Sequence, residues 1–245
     1  MKNIFENYAG RNGRMWNNTM VRKGAAMEEL LILLEMIGTA AFAVSGALTA
    51  LRHKTDLLGV IMLGILTATG GGVIRDLLLG NVPPSAFTDS KYVFASALTS
   101  AVIFIIAKIN TDHHTAFDSG RHRTQLFIMD TVGLSVFTAA GVLIAWEMFP
   151  DNGYLCVFSG VVSGVGGGLI RDIVVNELPY IFSRHIYAVA SMAGGITEIL
   201  LLDHISQKAA AIAAAAVIIL IRIASARYHL NLPKIEAFEE RDSHD

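Results

Sequence analysis

One seven-residue pattern occurs twice, and it constrains this chain more than any other feature. The first copy is Gly70-Gly71-Gly72-Val73-Ile74-Arg75-Asp76 and the second is Gly166-Gly167-Gly168-Leu169-Ile170-Arg171-Asp172. Each copy lies in a long apolar segment, with a glycine upstream (Gly64, Gly160) and a proline downstream (Pro83, Pro179). Gly in a helix interior costs roughly 1 kcal/mol relative to Ala, so three in a row disfavour an ordinary helix. An arginine and an aspartate beside them, in a segment fit for lipid, are costly as well. Two interrupted helices in corresponding positions of two halves are the sequence pointer to a membrane transport site.

Run lengths give the class. Of 245 residues 53% are hydrophobic and 16% charged, with mean hydropathy +0.51; a soluble domain carries about 25% charged residues. A spanning helix needs about 20 predominantly apolar residues. Seven segments qualify: Leu30–Leu51, Leu57–Leu79, Lys91–Lys108, Leu126–Trp146, Gly153–Val175, Arg184–Leu202 and Ala209–Arg227. The expected fold is an all-α integral membrane protein. Residues 1–26 are polar and rich in Gly and Asn, so a disordered tail is expected there and no cleavable signal. The net charge of -2 implies no nucleic-acid partner. The single cysteine, Cys156, lies in an apolar run and reads as a buried, inert thiol.

The pattern is part of a longer duplication. Glu35/Asp130, Gly38/Gly133, Phe42/Phe137, Gly46/Gly141 and Tyr92/Tyr187 are each 95 residues apart; the triplets, Gly64/Gly160 and Pro83/Pro179 are 96 apart. A constant offset across three successive helices is an internal repeat. The expected parts are residues 27–110 (first repeat), 111–125 (hydrophilic loop), 126–204 (second repeat), 205–227 (a seventh helix outside the repeat) and 228–245 (a polar tail). Three helices per unit is an odd number, so the second unit enters the bilayer from the opposite side, giving an inverted 3+3 repeat. Arg52, Lys54, Lys108, Arg121, Arg123, Arg184, Arg227 and Lys234 fall on one side, against Lys91 and Lys208 on the other once the basic residues of the N-terminal tail are set aside. The positive-inside rule then puts the C-terminus in the cytoplasm and the N-terminus outside.

A helix broken at mid-membrane frees carbonyls and amides that lipid cannot satisfy, so that backbone must line protein or a watery cavity. Free carbonyls suit a monovalent cation, and a new helix N-terminus suits an anion. The expected ion pathway is formed by Gly70, Gly71, Gly72, Gly166, Gly167 and Gly168, with Arg75, Asp76, Arg171 and Asp172 just beyond them. The competing reading is a close helix crossing with the Arg and Asp residues clamping two helices; a buried Arg–Asp network holding a gate shut is compatible with both. Glu35 and Asp130 either line two mouths and concentrate cations or snorkel to the interface. Gly38, Ala41, Ser45, Gly46, Gly133, Ala140, Gly141, Gly194, Gly195 and the alanine-rich run Ala209–Ala216 are read as close packing within one protomer, the alternative being a subunit contact. Asp112, His113, His114, Asp118 and His122 are read as a hydrophilic loop, so no metal site is expected. No Ser-His-Asp set, paired catalytic carboxylates or phosphate loop stands out, and neither an enzyme nor a cofactor is expected.

With both motifs and their spacing in view, the chain resembles the prokaryotic relatives of the trimeric intracellular cation (TRIC) channels, a group also known through a bacterial "glycine transporter" domain. The resemblance covers roughly Met27 to Arg227. It implies a homotrimer in a bacterial or archaeal plasma membrane with a pore inside each protomer. That pore would be formed by the first, second, fourth and fifth helices, kinked at the second and fifth, and permeable to potassium and other monovalent cations such as sodium. Eukaryotic members bind a phosphoinositide near basic pore residues; no matching basic motif occurs here, so that property is not carried over. Three functions stay open at this point: a passive cation channel, a secondary transporter of glycine or a similar small zwitterion, and a scaffold membrane protein without transport. The first two are not separated because both use unwound helices near the midplane.

Overall fold

The structure, a computed structural model, describes residues 18–112, 119–183 and 186–228. Its long helices are α1 (Asn18–Arg52), α2 (Leu57–Leu78), α4 (Lys91–Asp112), α5 (Ser119–Met148), α6 (Gly153–Val174), α8 (Ile186–Leu202) and α9 (Gln207–Tyr228). Two single-turn helices, α3 (Ser85–Thr88) and α7 (Tyr180–Ser183), stand between α2 and α4 and between α6 and α8. Six helices are long and apolar enough to cross a membrane, and α8, of 17 residues, is a shorter apolar helix. This is an all-helical integral membrane protein.

Boundaries differ from the sequence reading at two places. The helix expected from Leu30 begins at Asn18, inside the segment read as a tail, and α5 begins at Ser119, inside the segment read as a loop. Polar residues carry no apolar periodicity, so nothing in the pattern marks a helix extending beyond the lipid-facing run. His113, His114 and Asp118 of the loop cluster lie outside the described residues.

The repeat is visible down to the caps. Asp56 accepts a hydrogen bond from the Gly59 amide (2.8 Å) and starts α2; Asn152 accepts from the Leu155 amide (3.0 Å) and starts α6. Both residues satisfy one of the orphan amides of a first turn. At the other ends, Asn81 N–H donates to Asp76 O (2.8 Å) and Gly80 N–H to Leu77 O (3.2 Å). In α6, Glu177 N–H donates to Asp172 O (2.9 Å) and Asn176 N–H to Ile173 O (3.0 Å). Gly80 and Asn176, 96 apart, hold φ of +74° and +56°, the left-handed residue that closes this kind of C-terminus.

Helix ends meet reciprocally across the repeats. Arg52, at the end of α1, pairs with Glu177 beyond α6 (3.3 Å), and Val175 packs against the cluster of Ala47, Ala50, Val60 and Leu63. In the matching place, Leu79 beyond α2 packs with Val142 and Ala145 near the end of α5. Helix α9 lies outside this arrangement and packs on α8 and α5; Ile218 fills the space at Gly194, where an added Cβ would overlap it. Outward faces carry Phe94, Leu98, Ile105, Ile212 and Leu220. The interior holds a large share of the polar residues, including Glu35, Arg75, Asp76, Asp130, Arg171, Asp172 and Arg222. That inside-out distribution is what lipid imposes, since a charged side chain must face the bundle interior.

Candidate functional site

The two glycine triplets are not helix breaks. Both runs are α-helical along their whole length, so α2 and α6 pass through them without interruption. Their carbonyls remain within the helices, and the expected cation site on freed carbonyls is not formed. The residues serve instead to let two backbones touch. A Cβ on Gly71 would overlap the Ser163 carbonyl oxygen, one on Gly167 would overlap the Thr67 carbonyl oxygen, and one on Gly166 would stand 2.9 Å from Gly71 Cα. These contacts are reciprocal: Thr67 and Ser163 are equivalent residues, as are Gly71 and Gly167. Close crossing, the competing sequence reading, accounts for Gly70, Gly71, Gly166 and Gly167, whose propensity cost is offset by contacts only glycine permits.

An aromatic pair seals the same place. The Phe42 and Phe137 rings lie 5.3 Å apart with a 33° tilt. Each rests on the glycine that faces it, Phe42 on Gly133 and Phe137 on Gly38. Gly46 and Gly64 admit close approaches among α1, α2 and α4, and Gly141, Gly160 and Gly164 do so between α5 and α6. The small residues therefore pack inside one protomer, as expected.

On either side of the crossing sits a buried charge cluster. In the first repeat, Arg75 donates through Nη1 to Glu35 Oε1 (3.1 Å) and through Nε to Asp76 Oδ1 (2.9 Å). Tyr92 OH donates to Glu35 Oε2 (2.6 Å). The Ser85 amide at the start of α3 donates to Asp76 Oδ2 (2.8 Å), and the Ser85 hydroxyl donates to the same oxygen. In the second repeat, Arg171 donates to Asp130 Oδ1 (2.7 Å), Asp172 Oδ1 (2.8 Å) and Ser45 Oγ (2.5 Å). The Tyr180 amide at the start of α7 donates to Asp172 Oδ2 (2.9 Å). Each triplet thus leads into an Arg that ties its own Asp to the acid of the preceding helix. Removing one member would strand a buried charge, the costly way to break such a set.

Glu35 and Asp130 are buried, at 4% and 0% exposure, so neither snorkels to the interface. Glu35 does reach a narrow cleft, shared with Thr39, Thr69, Gly72, Arg75, Tyr92 and Phe137. A Cβ on Gly72 would meet only Arg75 Nη2, at 3.8 Å. Its equivalent Gly168 is closed in, with Tyr187 OH 3.1 Å and Asp130 Oδ1 3.5 Å from where its Cβ would stand. Of the ten glycine, Arg and Asp positions expected to form the pathway, Gly70, Gly71, Gly166 and Gly167 make the crossing, Arg75, Asp76, Arg171 and Asp172 the two clusters, Gly72 lines the cleft, and Gly168 lies against the second cluster.

Three polar residues of this interior lie in surroundings that the sequence reading does not anticipate. Arg222 on α9 donates through Nε to Thr131 Oγ1 (3.3 Å), and its Nη2 lies 3.7 Å from Asp130 Oδ2. Its guanidinium carbon stands 4.7 Å from the Phe127 ring centre and 4.8 Å from that of Tyr187, within reach of cation–π attraction. Glu198 on α8 is fully buried, and neither of its oxygens finds a hydrogen-bond partner among the described residues. Tyr187 is the counterpart of Tyr92, but Tyr92 bonds its acid, Glu35, whereas Tyr187 OH finds no hydrogen-bond partner among the described residues. Charge within an apolar span, the signal that picks out Arg75 and Arg171, is equally present at Glu198 and Arg222.

Comparison with known proteins matches this arrangement. The family model described as "Glycine transporter" fits the chain twice, at residues 32–108 and 127–203. The chain belongs to that family. Both ends of the match repeat at an offset of 95 (127 − 32 and 203 − 108), the spacing of the duplicated residues. A UPF0126 membrane protein of Vibrio cholerae is 36% identical over 206 residues, covering 83% of this chain and 82% of the relative. The UPF0126 inner membrane protein YadS of Escherichia coli is 35% identical over 206 residues, covering 83% of this chain and 95% of YadS. Among solved structures, the TRIC trimeric intracellular cation channel orthologue of Rhodobacter sphaeroides superposes with a TM-score of 0.74 at 32% identity, covering 82% of this chain and 98% of that one. A prokaryotic TRIC channel in 0.5 M KCl gives 0.76 at 31% identity, covering 84% and 100%. This family member is therefore a homologue of the TRIC channels.

Proposed function

We propose that this protein is a passive channel for monovalent cations, potassium or sodium, with its pathway inside the protomer along the seam between the two repeats. The observation that carries the reading is the pair of buried, carboxylate-bearing clusters flanking one glycine crossing, with a cleft reaching Glu35 and Gly72 on one side. Carboxylates beside a narrow path attract cations and repel anions. The likeness to solved structures at 31–32% identity over most of both chains supports it, since those structures are of channels and not of enzymes.

In this conformation the seam is shut by the Gly71–Gly167 crossing and the Phe42–Phe137 pair. Conduction requires those elements to part. The reciprocal meeting of α1 with α6 and of α2 with α5 supports an inverted repeat, so each cluster would face its own side of the membrane. Assembly as a homotrimer in a prokaryotic plasma membrane, surrounded by lipid and with the C-terminus cytoplasmic, completes the proposal. No cofactor enters it.

The second reading is a carrier for glycine or a similar zwitterion. One observation favours it: the cleft presents Glu35 and Arg75 together, one charge for an ammonium and one for a carboxylate. A single preparation separates the two. In planar bilayers under a potassium gradient, the channel gives a current reversing toward the potassium potential. In proteoliposomes, the carrier gives saturable uptake of labelled glycine competed by unlabelled glycine. Glycine uptake with no current at any voltage would reject the channel.

A further inference from the structure

The two clusters share one plan but not one charge. In the first, Glu35 and Asp76 face Arg75 alone among the described residues, a formal charge of −1. In the second, Asp130 and Asp172 face Arg171 and also Arg222, a formal charge of 0. The difference comes wholly from α9, the helix that belongs to neither repeat.

The space differs too. Tyr92 reaches Glu35 directly, but Asp130 is one methylene shorter than Glu35. Asp130 Oδ2 and Tyr187 OH both lack a hydrogen-bond partner among the described residues. Into this place comes the Arg222 guanidinium, against the Tyr187 and Phe127 rings, with Nη2 also unpartnered and 3.7 Å from Asp130 Oδ2. The contact is a charge held beside a carboxylate, too long for a hydrogen bond. Aromatic faces and a carboxylate oxygen at that spacing are what a weakly hydrated cation seeks on leaving water.

We infer that Arg222 acts as a tethered cation, occupying at Asp130 the place a permeating monovalent ion would take, so that α9 closes one of two otherwise equivalent mouths. Glu35 keeps its cleft because no such side chain reaches it among the described residues. The inference rests on the channel reading and adds a gate to it. Arg222 lies on α9, which packs chiefly on α8 and α5, so its side chain is separate from the Gly71–Gly167 crossing between α2 and α6. Cation flow then needs two events, opening of the crossing and departure of Arg222.

The test is planar-bilayer recording of the full chain as wild type, R222M, R222K and the double variant R222M/D130N, each checked by melting curve and gel filtration. R222M should raise the cation current roughly tenfold or more over wild type, the size of an ordinary coupling between two sites. R222K keeps a charge at Asp130 and should stay near wild type. R222M/D130N should lose the gain, because the attracting carboxylate is gone. A folded R222M with current equal to or below wild type overturns the inference. Should R222M not fold, Phe127→Leu decides, since it frees the guanidinium from one ring with every charge in place; it should raise the current, and no rise overturns the inference. A conducting wild type with an unresponsive R222M leaves the channel standing and removes the gate. Silence of wild type and R222M alike removes both.

Discussion

At the scale of single residues, the structure separates glycines that look alike in sequence. Gly72 opens on a cleft, whereas Gly167 lies against a carbonyl oxygen and the Phe42 ring. Gly72→Ala should therefore raise the melting temperature in detergent slightly, by the helix propensity gained, up to about 1 kcal/mol, while Gly167→Ala should lower stability by roughly 1–3 kcal/mol, the usual cost of overpacking. Equal melting curves for the two would mean the helices do not cross at the triplets. Glu198 gives the opposite sign. Its carboxyl is buried without a partner among the described residues, a state costing about 1–3 kcal/mol in proteins, so Glu198→Leu should raise the melting temperature and a fall would show an unseen partner. The residues that sequence makes legible are those whose cost is visible in any context: an Arg or Asp in an apolar run. What sequence does not supply is the partner that offsets the cost. Three consecutive glycines mean weak helix by propensity, but a neighbouring backbone at contact distance tips the balance the other way, and no reading of α2 alone reveals α6.

At the scale of elements, legibility is high. The seven long helices follow from run length, since the bilayer fixes how many apolar residues a span needs. The duplication follows from offsets, and the caps at Asp56 and Asn152 extend it to positions that the offset alone does not single out. Asp56→Ala and Asn152→Ala should each cost about 1 kcal/mol; a thermal melt that moves for one and not the other would break the equivalence. Helix α9 is the least legible element. Its place outside the repeat can be read from the chain, yet the sequence reading passes over its Arg222, a charge six residues inside the end of the helix. The meaning of Arg222 depends on where α9 docks, which apolar periodicity does not specify when nearly every face is apolar.

At the scale of the whole molecule, a dry crossing is joined to two charged clusters, one open to a cleft and one stoppered by a side chain from outside the repeat. Arg171→Met should destabilise the fold by roughly 3–5 kcal/mol because Asp130 and Asp172 would be left buried and underpaired. Adding Asp130→Asn should recover part of that loss, and additivity in the double variant would deny that the cluster is a single unit. The central claim is that cations pass through the protomer along the seam beside Gly72. The most direct measurement places a thiol there: Gly72→Cys in a Cys156→Ala background, recorded in a planar bilayer before and after a cationic, water-soluble methanethiosulfonate. The predicted result is a current that the reagent blocks, with no effect on the Cys156→Ala parent. A current that survives complete modification of the position 72 thiol, verified by mass spectrometry, would contradict it.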